Sequence, residues 1–417
     1  MTERREPDGV ICFSTDPWGD MKRPVQLMRR LARRVPVLYV EPYLSVTSLL
    51  KNWQAAFRGM STKRVGRALA GHPVELEPNL HVLTALVSIP PQRLSFTGSG
   101  SLVGTVGRAQ HRRVVRAAYE AAFRLGMRAP VEWISYPISL AGVPRIDAST
   151  RVYDCMDRWS EFPDSLANTQ WRELVAQFET QLLETADVVL CSAEGLFEAK
   201  QSVAKGRCAL VRNGADVEHF APLSRPVPAD LASLPRPLVG YVGAVAEWVD
   251  FALVREAALL RPDWSYVLVG PVFQGKTMGN AGALRALDGL ANVHVLGPRP
   301  YDSVPAYVEA FDVAMIPFVI NGLTEDTNPI KVYEYLAAGV PVVSTPLREV
   351  VGLTGVRLAS SASEFVVQAE AACAERRDPD LIGERIEAAA TNSWDARAAL
   401  AWEVISEHQP SPHRATD

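Results

Sequence analysis

The chain has 417 residues, 48% of them hydrophobic and 22% charged. That is an ordinary balance for a globular protein and too long for one ordinary core, so two domains of about 150–220 residues are expected. No apolar run reaches the roughly 18–20 residues that cross a bilayer, and the charged start Met1-Thr-Glu-Arg-Arg-Glu-Pro-Asp-Gly9 is unlike a signal peptide, which predicts a cytoplasmic protein. The formal net charge of −4 hides an asymmetry: residues 1–150 carry 21 Lys and Arg against 11 Asp and Glu, which points to an anionic partner such as a lipid headgroup or lipid diphosphate, against the plainer reading of a solvated basic face.

In chain order, short β-branched runs predict strands at Val10–Ser14, Val37–Val40, Val131–Ser135, Arg151–Asp154, Val188–Ser192 and Ala209–Val211. Amphipathic stretches at Pro24–Arg34, Arg108–Leu125 and Trp171–Ala186 predict helices between them. The segment Leu49–Leu69 mixes Trp53 and Phe57 with five basic residues, and reads either as a membrane-surface helix or as a charged excursion. A second set of strands is expected at Leu238–Val242, Ser265–Val269, Val293–Leu296, Val313–Pro317 and Val340–Ser344. Alternation of this kind predicts parallel sheets covered by helices on both faces. The proline-rich run Pro222–Pro237 reads as the linker between the two sets. Cys12, Cys155, Cys191, Cys208 and Cys373 form no C-x-x-C pair, and three of them lie in or beside apolar runs, so reduced and mostly buried thiols are expected.

In such sheets ligands gather beyond the carboxyl ends of the strands. The turn after Pro317 is the most informative. Asn328 reads as a helix N-cap, Pro329 suits the first helical position, and Gly339 ends the helix just before the next strand. The amides of Ile330 and Lys331 would then be open to an anion. Helical spacing places Lys331, Glu334, Tyr335 and Ala338 on one face, with Val332, Tyr333 and Leu336 toward the sheet. Lys331 would neutralise a diphosphate, and Glu334 would accept hydrogen bonds from ribose hydroxyls; the alternative is a surface i,i+3 ion pair.

Asp326 lies eight positions before Glu334. An acid, seven residues and Glu, followed by Leu-Ala-Ala-Gly-Val-Pro-Val-Val, resembles the E-x7-E element of retaining glycosyltransferases of the GT-B fold such as family 4, in the form common among bacterial cell-surface polysaccharide transferases. Gly240–Asp250, Asn213-Gly-Ala-Asp216 and Asn392-Ser-Trp-Asp-Ala-Arg397 resemble the first donor-domain strand and turn, the close of the first domain, and the start of the final helix of that family.

The resemblance implies an α/β protein of GT-B type, two Rossmann-like parallel domains facing across a cleft. Residues 1–221 would form the acceptor-side domain, 222–237 the linker, 238–391 the nucleotide-sugar domain, and 392–417 a helix crossing back with a polar tail. It implies a nucleotide-diphosphate sugar as donor, a lipid-linked or polysaccharide acceptor, and cell-envelope or exopolysaccharide synthesis. No further cofactor, no metal and no nucleic acid are expected, and the place of action would be the cytoplasm or the inner face of the plasma membrane.

The donor would be held by Gly243, Ala244, Glu247, Gly270, Arg299, Thr327, Asn328, Ile330, Lys331 and Glu334, with Asp326, Lys331 and Glu334 at the reaction. Two positions depart from the family pattern. The first acid is Asp326, with Glu325 beside it, and the turn after the first donor-domain strand carries Glu247 and Asp250 where many members have Arg and Lys. On the acceptor side, Trp18 would stack on a sugar and Lys22 and Arg23 would meet an acceptor phosphate; turn chemistry around a buried Trp is the alternative. Asp157, in Tyr153-Asp-Cys-Met-Asp-Arg-Trp159, would serve as base in an inverting reaction or as a loop cap.

Other chemistries find little support. The histidines show no ligand spacing, Asp378-Pro-Asp380 is the one D-x-D, no G-x-S-x-G occurs, and no G-x-G-x-x-G follows a strand. A UDP-sugar 2-epimerase on the same architecture and a non-catalytic scaffold stay open as alternatives.

Overall fold

Runs of four or five apolar residues between polar turns are long enough for one strand each, and burial on both faces is what such uninterrupted runs require. In the computed structural model, which describes residues 6–46, 62–88, 102–140, 150–161, 169–273 and 284–407, they become the inner strands of two sheets. The chain divides into two compact units. The first gathers the described residues up to Ser160, then 169–211, then 398 onward; the second holds Glu161 and Arg212–Arg397.

The first unit contains β1 (Val10–Phe13), β2 (Val37–Val40), β3 (Leu44–Ser45), β4 (Val74–Glu77), β5 (Leu80–Leu83), β6 (Leu86–Val87), β7 (Val131–Ile134), β8 (Thr150–Cys155), β9 (Val188–Cys191) and β10 (Arg207–Leu210). Its helices are α1 (Arg23–Leu31), α2 (Thr62–Ala70), α3 (Leu102–Arg124), α4 (Thr169–Thr185) and α5 (Glu194–Gln201). Eight strands pair in the order β10-β9-β8-β7-β1-β2-β5-β4, all parallel except the β4–β5 pair. The short strands β3 and β6 pair separately.

The second unit contains β11 (Leu238–Val242), β12 (Ser265–Val269), β13 (Val293–Gly297), β14 (Val313–Ile316), β15 (Val342–Ser344) and β16 (Val356–Leu358). Its helices are α6 (Val217–Phe220), α7 (Phe251–Leu260), α8 (Val304–Ala310), α9 (Gly322–Glu325), α10 (Ile330–Ala337), α11 (Ala362–Glu375), α12 (Pro379–Thr391) and α13 (Trp394–Glu407), whose last residues fall to the first unit. Six parallel strands pair in the order β13-β12-β11-β14-β15-β16, a doubly wound arrangement. Each unit has its own apolar core.

The proline-rich run 222–237 lies within the second unit, and the division falls earlier, between Val211 and Arg212. The middle of the run folds into turns, with Leu231 and Ala232 donating to the Pro228 carbonyl, and Leu231 is buried in the second core. Ion pairs Arg225–Glu309 (3.2 Å), Arg299–Asp230 (2.7 Å) and Arg236–Asp312 (2.9 Å) fix it along that unit.

Three strands carried no clear apolar signal in the sequence. β4 is Val-Glu-Leu-Glu at the sheet edge, β5 holds His81, and β16 is a half-buried three-residue edge strand. Of Leu49–Leu69, residues 49–61 lie outside the described residues, and the rest belongs to α2, whose Arg64 and Arg67 both reach the buried carboxylate of Glu41. Among the described residues no helix is long and apolar enough to cross a membrane.

Candidate functional site

In the second sheet the strand order reverses between β11 and β14, so the turns after these two strands diverge and leave room for a ligand at their carboxyl ends. The turn after β11 is pinned on both sides. Gly243 and Val245 donate to the carbonyls of Val269 and Pro271, while Asp250 donates to Pro317 and Val319 donates to Trp248. Gly270, at φ 147°, belongs to this arrangement sterically, since a Cβ there would collide with the Gly243 carbonyl. The Asp250 side chain caps α7 through the Leu253 amide. Both carboxylate oxygens of Glu247 are buried and meet no hydrogen-bond partner among the described residues. The Ala244 amide likewise donates to no described group.

The turn after β14 runs through α9, capped reciprocally by Asn321 and Thr324, and reaches α10. Asn328 is not the cap of α10. That position is Pro329, which offers no side-chain hydrogen bond. Asn328 is buried and fully engaged elsewhere: it accepts from the Asn213 amide (3.0 Å), donates to Tyr333 (3.0 Å) and Glu349 (2.9 Å), and its carbonyl accepts from the Asn213 side chain (2.7 Å). The amides of Ile330 and Lys331 consequently meet no acceptor among the described residues. At the other end, Gly339 takes φ 67°, with Val340 donating to Tyr335, the left-handed close that the sequence predicts.

α10 is buried nearly all round rather than two-faced. Tyr335 turns inward, its hydroxyl accepting from the Val242 amide (2.8 Å) and donating to the Val242 carbonyl (3.3 Å). Ile330 and Lys331 at its start are partly exposed, and Lys331 donates to the buried Glu334 at 2.9 Å. Of the two neighbouring acids, Asp326 is buried and Glu325 exposed. Thr327 is half-buried and donates to the Leu323 carbonyl.

Arg299 does not belong with this group. Its guanidinium donates to Asp230, Tyr307 and the carbonyls of Leu296 and Pro298, which holds the proline-rich run and commits its donors. Asp378 of the D-x-D caps α12 through the amides of Asp380 and Leu381.

In the first unit the order reverses between β1 and β7, and the turn Ser14–Lys22 leaves β1 there. Lys22 pairs with Asp16 at 2.7 Å, and Tyr39 donates to the Asp16 carbonyl. Trp18 is half-buried and packs edge-on against Tyr39, ring centroids 5.1 Å apart. Arg23 does not reach outward. It is buried, bound to Asp154 (2.9 Å) and to the Val211 carbonyl (2.7 Å), because a desolvated guanidinium needs such partners. Asp157 follows β8. Desolvation, then the nearby Asp16 carboxylate, push its carboxyl up to about 7 against the opposing pull of Lys22 and Arg23.

Residues 236–375 match the family model described as glycosyl transferases group 1. TuaH of Bacillus subtilis (strain 168), provisionally assigned as a glycosyltransferase of teichuronic acid biosynthesis, is 30% identical over 203 residues, which are 47% of this chain and 50% of TuaH. The chain thus spans about half the length of that curated relative.

Among solved structures, an Escherichia coli trehalose-6-phosphate protein bound with UDP-2-fluoro glucose superposes with a TM-score of 0.67 at 10% identity over 97% of this chain and 100% of that one. Sucrose-phosphate synthase of Thermosynechococcus elongatus gives 0.63 at 18% over 96% and 98%. HepE of Anabaena, in complex with UDP and glucose, gives 0.60 at 15% over 96% and 100%. The fold is GT-B. The residues that match the glycosyl transferases group 1 model lie in the second unit, and the sequence resemblance drawn from Asp326 to Gly339 falls inside them.

Asp157 yields a stability prediction. Its folded-state pKa lies above the ordinary aspartate value, so between about pH 4 and 7 the native state holds a proton that the unfolded chain releases, and stability falls as pH rises through that window. Asp157→Asn should melt near wild type at pH 4 and above it at pH 8. Parallel melting curves across this range would refute the shift.

Proposed function

We propose that the protein moves a sugar from a nucleotide-diphosphate sugar to a lipid-linked or polysaccharide acceptor in cell-envelope or exopolysaccharide synthesis, with retention and without a metal ion. The observation that carries this reading is the start of α10. There the amides of Ile330 and Lys331 meet no acceptor among the described residues, and the Lys331 side chain leaves the same turn, at the strand-order reversal and inside the residues matched by the family model. Breaking the anomeric carbon–oxygen bond leaves negative charge on the diphosphate, and fixed donors at that place stabilise it as it develops. Lys331 supplies the point charge, and the amides of Ile330, Lys331 and Ala244 supply dipoles. Glu334 holds Lys331 and accepts from ribose, while Asp326, at the E-x7-E spacing, accepts from the transferred sugar. The UDP named with HepE and the UDP-2-fluoro glucose named with the E. coli protein support a nucleotide sugar as donor.

A second reading, inversion with Asp157 as base, is favoured by one observation: a carboxyl that titrates near 7 suits proton transfer from an acceptor hydroxyl. The anomer of the product separates the two.

The acceptor reading includes an anionic membrane at the cytoplasmic face. Much of the basic excess of residues 1–150 is used internally, as in the pairs of Arg64 and Arg67 with Glu41 and of Arg23 with Asp154. Arg112, Arg113 and Arg116 of α3 are exposed and supply the outward charge.

Three measurements test these statements. A panel of nucleotide sugars should contain one that raises the melting temperature, since a ligand at about 100 times its dissociation constant adds roughly 2.7 kcal/mol; no shift with any member rejects the donor reading. Lys331→Ala should lower turnover by about 100-fold with donor saturating, and near-normal turnover rejects its role. The protein should pellet with anionic liposomes at low salt, and Arg112, Arg113 and Arg116 changed together to Ser should abolish this; wild-type protein that stays in the supernatant refutes membrane contact.

A further inference from the structure

A buried carboxylate without a partner is a costly arrangement, and among the described residues both oxygens of Glu247 are in that state. The backbone around it cannot easily relieve the cost. The turn is bonded to the ends of β12 and β14 on either side, through Val245–Pro271, Asp250–Pro317 and Val319–Trp248. Its other acid, Asp250, is satisfied by the α7 amide of Leu253, so the missing partner is specific to Glu247.

The position is the first turn after β11, at the strand-order reversal, where the proposed donor lies. A carboxylate there repels a diphosphate and accepts hydrogens from hydroxyl groups. In a nucleotide sugar those hydroxyls belong to the ribose and to the transferred sugar, and Glu334 on α10 already takes the ribose in the reading above.

We infer that Glu247 is a specificity residue that accepts hydrogen bonds from hydroxyls of the transferred sugar, so that this turn selects the sugar while the start of α10 holds the diphosphate. The inference rests on the donor reading and adds to it a division of labour between two turns. Binding of the sugar supplies the carboxylate with the donors that the protein withholds. A sugar lacking the matching hydroxyls leaves the charge buried and unpaired, and is rejected on that account.

The test uses the full-length protein with Glu247→Gln and Glu247→Ala, titrated with UDP-glucose, UDP-N-acetylglucosamine and GDP-mannose, and with UDP and GDP alone. For whichever nucleotide sugar wild type binds, both variants should lose roughly 10-fold or more in affinity, as expected for a hydrogen bond to a charged group. They should keep wild-type affinity for the matching nucleoside diphosphate. Without ligand, Glu247→Gln should melt at or above the wild-type temperature, because an unpaired charge has been neutralised.

Equal losses for sugar nucleotide and diphosphate, or a drop in melting temperature with no selective loss, would mark Glu247 as structural and overturn the inference. Unchanged affinity for the sugar nucleotide would overturn it as well. Wild-type binding of a nucleotide sugar that both Glu247 variants bind equally well defeats only this assignment and leaves the donor reading standing. Wild-type binding of none of the five compounds defeats the donor reading and this assignment together.

Discussion

The pairing of Asn328 with Asn213 is the interaction on which the shape of the α10 start depends. An asparagine just before a helix would ordinarily close that helix with its own side chain. Here the side-chain oxygen is drawn off by the Asn213 amide and the side-chain nitrogen by Tyr333 and Glu349. The helix start is left without a side-chain cap, which suits the diphosphate site proposed for it. Arg212 binds the same Glu349 oxygen at 2.8 Å, so the chain entering the second unit is built into this support.

The first unit follows a different electrostatic logic. Its basic excess is drawn partly inward, where carboxylates with little or no exposure hold arginines: Glu41 with Arg64 and Arg67, Asp154 with Arg23, and Glu132 with Arg151. Breaking one member of such a pair leaves an uncompensated charge inside, so these arginines act on the fold rather than on a ligand. Lys22 differs, being largely exposed while bound to Asp16. Desolvation pulls its ammonium down, but the charge and hydrogen bond of Asp16, with the nearby Asp20 and Asp157 carboxylates, together outweigh it and hold the group above the ordinary lysine value.

The inner strands were legible because uninterrupted apolar runs admit few other structures. Leu238–Val242 and Ser265–Val269 match their predicted limits, whereas β4, β5 and β16 carry Glu, His or Arg and take their strand form from neighbours already in the sheet. Lys331 and Glu334 were legible as a pair because their spacing is local. What they lack in the sequence is the third partner of each group. Asn213 lies 115 residues from Asn328, Asp154 lies 131 from Arg23, and Asp230 lies 69 from Arg299. A basic residue beside a turn reads as a ligand group until the carboxylate that occupies it is found, and no periodicity announces that carboxylate. The oxygens of Glu247, which meet no partner among the described residues, were hidden for the converse reason, since no local sequence pattern marks a missing partner.

The Tyr335 hydroxyl, bonded to both the amide and the carbonyl of Val242, joins the middle of α10 to the last residue of β11. Any displacement of the helix is therefore passed directly to the neighbouring loop, and the two behave as one mechanical part. A change that reshapes that loop has to preserve the phenol or move the start of α10, with Lys331, at the same time.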